Sequence, residues 1–118
     1  MIIKDELTEA FNAKPRVNIN NIKTMTPAQL DNVKGYGSQA ENLLNNKDFA
    51  LFVHHFKFEM ADELSAVSGH TVDDNCKRVS IAHNIAGVDR FVAMLQRAVF
   101  YKNKVVVSQQ SPTDNKEI

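Results

Sequence analysis

Two consecutive stretches decide the fold: DFALFVHHFKFEMADELSAV at positions 48–67 and TVDDNCKRVSIAHNIAGVDRFVAMLQRAVFYK at positions 71–102. In the first, Phe49, Phe52, Val53, Phe56, Met60, Leu64 and Val67 fall within about 120° of one another at 100° per residue, which predicts a long amphipathic helix. In the second, Ile81, Ile85, Val88, Val92, Leu95 and Val99 are spaced 4-3-4-3-4, a heptad seam over nearly three repeats. Gly69 ends the first helix, and Thr71, followed by Asp73 and Asp74 in the first turn, opens the second.

Only Ser68, Gly69 and His70 join the two. So short a connection makes the helices antiparallel neighbours. Charge agrees: residues 48–67 hold one Lys against four acids, and residues 72–104 hold six Lys and Arg against three acids. Each exposed ion pair adds only about 0–1 kcal/mol, so charge sets the partner more than the stability. The second helix is about ten residues, roughly 15 Å, longer than the first. Either the segment 27–44 or another subunit must cover that overhang.

Working outward, Ile3, Leu7, Ala10 and Phe11 give residues 4–14 a weak helical pattern that Pro15 stops. RVNINNIKTM (16–25) alternates Val17, Asn18, Ile19, Asn20 and reads as an extended arm or edge strand. Thr26-Pro27-Ala28-Gln29 is a capping box with proline at the first helical position. Gly35 reads as the stop of that helix, and Ser38-Gln39-Ala40-Glu41 as a second capping box opening a short helix through Leu43 and Leu44. Asn45 to Asp48 breaks the chain again. The expected fold is all-α: an antiparallel helical hairpin (about 48–67 and 72–102) with short N-terminal helices packing on it. The expected organisation is an arm over 1–25, a helical domain over 26–104 and a flexible, disordered tail over 105–118, where SQQSPTDNKEI lacks apolar periodicity.

Fourteen basic and fourteen acidic residues cancel, so no net field draws the chain to nucleic acid or an anionic membrane. The start, MIIKDELTEAF, is too short and acidic for a signal peptide, and no apolar run approaches the roughly 20 residues of a membrane span. The expected address is the cytoplasm.

Candidate chemistry is sparse. His55, Glu59 and Asp62 share a helix face, but the second helix offers only Asp73, Asp74, His83 and Asp89, without the repeated Glu-x-x-His of a bundle metal site. A solvated face is expected there, and no metal. Cys76, beside Val72 and Val79 on an apolar stripe, is expected to be a buried, inert thiol with no base beside it. No enzyme activity, cofactor or small-molecule substrate is expected.

Both long helices carry more apolar surface than a hairpin uses. Leu51 and Phe58 lie opposite the first helix's main stripe, and Val72, Cys76, Val79, Ala82 and Ala86 lie about 180° from the heptad seam. Either the N-terminal helices cover these faces or a partner does, and Leu51, Phe58, Val72 and Val79 are the expected protein contacts.

The stretch from Leu30 through Val33, Lys34, Gly35, Tyr36, Gly37 and Ser38 to Leu44 resembles the helix-hairpin-helix motif of DNA-binding proteins. That resemblance implies backbone amides offered to a phosphate at a helix N-terminus, with sequence-independent DNA binding as the alternative function. Ala40 comes one position early for the motif, and Ser38 and Gln39 stand where a Lys or Arg often follows. His83, Arg90 and Arg97, spaced by seven, form a row that could follow a phosphate backbone. The nucleic-acid candidates are therefore Lys34, Gly35, Gly37, Ser38, Arg90 and Arg97.

As a whole, residues 39–104 resemble small helical-hairpin proteins of the bacteriophage head and packaging gene region. The resemblance rests on Ala40-Glu-Asn-Leu43-Leu44, on Phe49, on Asp74-Asn-Cys-Lys-Arg78, and on Phe91, Leu95 and Val99 in the long helix. It implies a non-enzymatic interaction or oligomerisation module with a virion-assembly or head-associated role. The partners it implies are the chain itself or another phage structural protein, in the host cytoplasm and in the virion.

Overall fold

The computed structural model describes residues 5–13 and 19–116, with side chains for 5–10 and 20–110, and within them it contains helices and no strand. α1 spans Asp5–Ala13, in line with the weak pattern before Pro15. Arg16, Val17 and Asn18 of the expected arm lie outside the described residues. The rest of that arm is not extended: Ile19–Thr24 winds into a 3-10 helix, in which the Thr24 hydroxyl donates to the Asn21 carbonyl at 2.8 Å. Short polar side chains that bond to nearby backbone favour such turns over a strand.

α2 spans Pro27–Leu44. Its start is the predicted capping box: the Thr26 hydroxyl accepts from the Gln29 amide at 3.2 Å, and the Gln29 side chain accepts from the Thr26 amide at 2.9 Å. The expected stop at Gly35 and restart at Ser38 do not occur. The helix runs straight through both glycines, and no described residue has a positive φ. The physical reason is close packing at Gly37. A Cβ there would sit 2.3 Å from Lys102 Cβ and 2.7 Å from the Ala98 carbonyl oxygen.

α3 spans Lys47–Ala66, capped by Asn46, whose Oδ1 accepts from the Phe49 amide at 2.9 Å. In the connection to the next helix, the Arg78 guanidinium donates to the carbonyls of Val67, at 3.1 Å, and Gly69. α4 spans Val72–Lys116. Its start is a reciprocal cap in which the Thr71 hydroxyl accepts from the Asp74 amide at 3.1 Å and donates to the Asp74 carboxylate at 2.8 Å.

At 1.5 Å per residue, the 45 residues of α4 span about 67 Å. That is the full length of the molecule, which measures 67 × 38 × 29 Å. α3 lies antiparallel on the N-terminal half of α4, as predicted. Lys57 pairs with Asp89 at 2.7 Å, and the Phe49 and Phe91 rings sit 6.1 Å apart. α2 lies antiparallel on the C-terminal half, where Lys102 pairs with Glu41 at 3.4 Å and Lys34 donates to Gln109 Oε1 at 2.9 Å. α2 and α3 thus follow one another along a single long helix, and α2 covers the overhang. The expected boundary at 105 moves outward as a result, because Val105 is fully buried within α4.

Ile81 and Leu95 of the predicted seam are buried, and Ile85, Val88, Val92 and Val99 are half-buried. Beyond Leu95 the seam changes phase. Ala98 and Val105 are buried where a continued 4-3 repeat would favour Val99 and Val106. The step from Leu95 to Ala98 is a stammer, a local three-residue shift of the heptad, and it falls where α2 takes over from α3 as the neighbour. Small residues suit this point: Gly37, Ala40 and Ala98 are all buried, and α2 approaches closely over them.

The result is a rod two helices thick. Its radius of gyration is 19.9 Å, against about 13.5 Å for a compact chain of this length. The whole chain exposes 9380 Å², against about 6500 Å² for a compact monomer of 13.3 kDa.

Candidate interaction surfaces

Because α3 and α4 meet through Met60 and Ile81, the residues half a turn away from each point outward. Leu51 and Phe58 stand on the outer face of α3, and Val72 and Val79 on the outer face of α4. All four are exposed, Phe58 at 68% and Val72 at 78%. They do not form one patch: the two helices meet face to face, so their outer faces look in opposite directions. The N-terminal helices do not cover either, since α2 is occupied along residues 95–109. Cys76 is exposed for the same reason, contrary to the expected buried thiol. It lies in a shallow apolar depression with Val72, Asn75, Val79 and Ser80.

The α4 face is longer than the sequence pattern had indicated. Val72, Val79, Ala86, Ala93, Phe100 and Val107 recur at intervals of seven, and every one is exposed. The strict repeat was the available signal, but an expected helix end near 102 left Val107 outside it. Four residues after each ridge position from Val79 to Phe100 comes His83, Arg90, Arg97 and Lys104, a basic row beside the apolar ridge. Lys104 Nζ lies 5.3 Å from the Phe100 ring centroid, a cation–π contact within the ridge. Among the described residues no carboxylate pairs with Arg90 or Arg97.

The outer face of α3 has the opposite character. Asp48, Glu59 and Asp62 are exposed along one side of Leu51 and Phe58. Among the described residues none of these acids has an ion-pair partner. His55, Glu59 and Asp62 share this face, and no group of three potential metal ligands occurs among the described residues.

The remaining candidates are scattered. Lys34 is half-buried and pairs with Asp31 at 3.5 Å. Gly35, Gly37 and Ser38 are interior to α2, where their amides belong to the helix ladder and not to a turn. Gly37 faces α4, whereas Arg90 and Arg97 lie on the outer face of α4. The structure therefore does not bring the six nucleic-acid candidates together. No described helix is long and apolar enough to cross a membrane.

Among the described residues, Asp74 is the one titratable group with a shifted value. The hydroxyl and then the amide of Thr71 donate to its carboxylate and hold it below the ordinary aspartate range, with Lys77 and Arg78 adding to the effect. Its chemistry is that of a helix cap. No family model, curated protein or solved structure matches this chain.

Proposed function

We propose that this chain is a non-enzymatic helical interaction module that associates with itself or with another structural protein. The resemblance of residues 39–104 to head-region bacteriophage proteins supports virion assembly as the setting of that association. The observation that carries the proposal is the unburied surface. The rod leaves large apolar side chains open, with Phe58 of α3 68% exposed and Val72 of α4 78% exposed. Apolar side chains stand on both outer faces, where a monomer has no use for them.

Sedimentation analysis over a wide concentration range tests this. The expected outcome is a mass that rises with concentration, and a strict monomer throughout would sink the proposal. A second function is favoured by one observation, the row in which Arg90 and Arg97 meet no carboxylate among the described residues. Duplex DNA contact through that row predicts affinity that falls steeply with salt. No binding at low salt would dispose of it.

A further inference from the structure

Building on the self-association just proposed, we infer that copies of this chain join by a heterologous contact, with the acidic outer face of α3 on one copy seated on the basic ridge of α4 on the next. Three observations carry it. First, the faces are complementary in charge: Asp48, Glu59 and Asp62 flank the α3 face, and His83, Arg90, Arg97 and Lys104 flank the α4 face. An isologous contact would set each row against itself. α4 on α4 brings arginine rows together, α3 on α3 brings acids together, and like charges at a contact are costly.

Second, the faces are complementary in size. Leu51 and Phe58 are seven residues apart, and so are Ala86 and Ala93 at the centre of the α4 ridge. Two large knobs at that spacing fit over two small residues, with Val79 and Phe100 at the ends of the seat. Third, Leu51, Phe58, Val79 and Phe100 are all about half exposed or more, so the monomer leaves both halves of the contact open.

The two faces look in opposite directions, so one contact cannot satisfy both at once. Each added copy leaves an open α3 face at one end and an open α4 face at the other. Such an interface grows until it closes into a ring or continues as a filament.

The test uses two variants of the full chain, Leu51→Asp with Phe58→Asp, and Arg90→Glu with Arg97→Glu. All four positions are exposed, so helicity by circular dichroism should match the parent in both. Each variant alone is expected to stay monomeric at concentrations where the parent forms species larger than a dimer. Mixed together they should form a one-to-one pair and nothing larger, because each retains the face that the other has lost. The inference is overturned if either variant assembles like the parent, or if the mixture remains monomeric. It is also overturned if the α3 variant still dimerises while the α4 variant does not, the signature of an isologous α4 contact. That last result would leave the proposed self-association standing, whereas a parent chain that never associates would remove both.

Discussion

Replacing Gly37 and Gly35 separately by alanine puts the α2–α4 register to a test in which the two changes should act in opposite directions. At Gly37 the new Cβ would lie 2.3 Å from Lys102 Cβ and 2.7 Å from the Ala98 carbonyl oxygen. Carbon atoms rest about 3.5–4.0 Å apart, so α2 must withdraw by more than an ångström. Withdrawal of that size forfeits a large part of the dispersion contacts of Ala40, Leu95 and Ala98, which form a buried cluster in the rod. Overpacking of this kind costs about 1–3 kcal/mol or more, and the better helix propensity of alanine returns only about 0.5–1 kcal/mol. A net loss of about 1–2 kcal/mol is expected for Gly37→Ala. At Gly35 a Cβ meets nothing within 4 Å, so only the propensity acts and Gly35→Ala should gain about 0.5–1 kcal/mol. Urea unfolding followed by far-UV circular dichroism reads both. Chain concentration must be held fixed, because association would move the midpoint. With slopes of about 1–3 kcal/mol/M, the midpoints should move apart by several tenths of a molar or more. If both substitutions destabilise alike, the chain turns at Gly35 with positive φ and α2 is two helices. If both stabilise, α2 does not lie against residues 98 and 102.

Val105→Ala should lower stability by about 2–3 kcal/mol, combining the transfer and cavity terms for a fully buried side chain, whereas Val79→Ala in the dilute monomer should stay within about 0.5 kcal/mol; thermal unfolding compares them. Asn46→Ala removes the cap that receives the Phe49 amide and should cost about 1 kcal/mol, read as a lower urea midpoint with an unchanged slope. Because Asp74 binds its proton less tightly in the folded chain, its contribution is complete above the unfolded value near pH 4 and fades as pH falls through the lower folded value. The stability difference between the parent chain and Asp74→Asn should therefore shrink below pH 4 in an acid titration, and a difference that persists undiminished at pH 2 would contradict this role for the carboxylate.

What the sequence made legible was local or periodic. Thr26 and Thr71 announce their helices because a cap is settled within three residues, and Ile81 and Leu95 announce the hairpin's seam because a heptad repeats; Asn46, read only as part of a break, proves to be the cap of α3. Gly35 and Gly37 were misleading because glycine serves both a left-handed stop and a close helix approach. The choice between these uses was made by Ala98 and Lys102, some sixty residues further on. Cys76 was misplaced for a related reason: the segment expected to bury it lies against residues 95–109 instead. The phase change from Val99 to Ala98 has no sequence signal of its own, since it records where α2 meets α4. On the candidate surface, Val72, Val79, Leu51 and Phe58 were legible from angle alone, but that they form two opposed faces required the hairpin's geometry.

Why α2 lies beyond α3 and not beside it follows from the joint between them. The two helices are separated by Asn45 and Asn46, at φ −90°, ψ −4° and φ −79°, ψ 121°. Neither residue takes the left-handed conformation that commonly ends a helix ahead of a tight reversal. Both helices instead run antiparallel to α4, so the chain passes from one to the other while keeping its direction. A reversal at this joint would have laid α2 back along α3, burying Leu51 and Phe58 in a three-helix bundle and leaving the end of α4 bare. With the joint as it is, Gly37, Ala40 and Ala98 anchor α2 on the far half of α4, and among the described residues no further helix of comparable length lies over either outer face. The same two residues that give α4 a partner along its length therefore leave the acidic and the basic faces open.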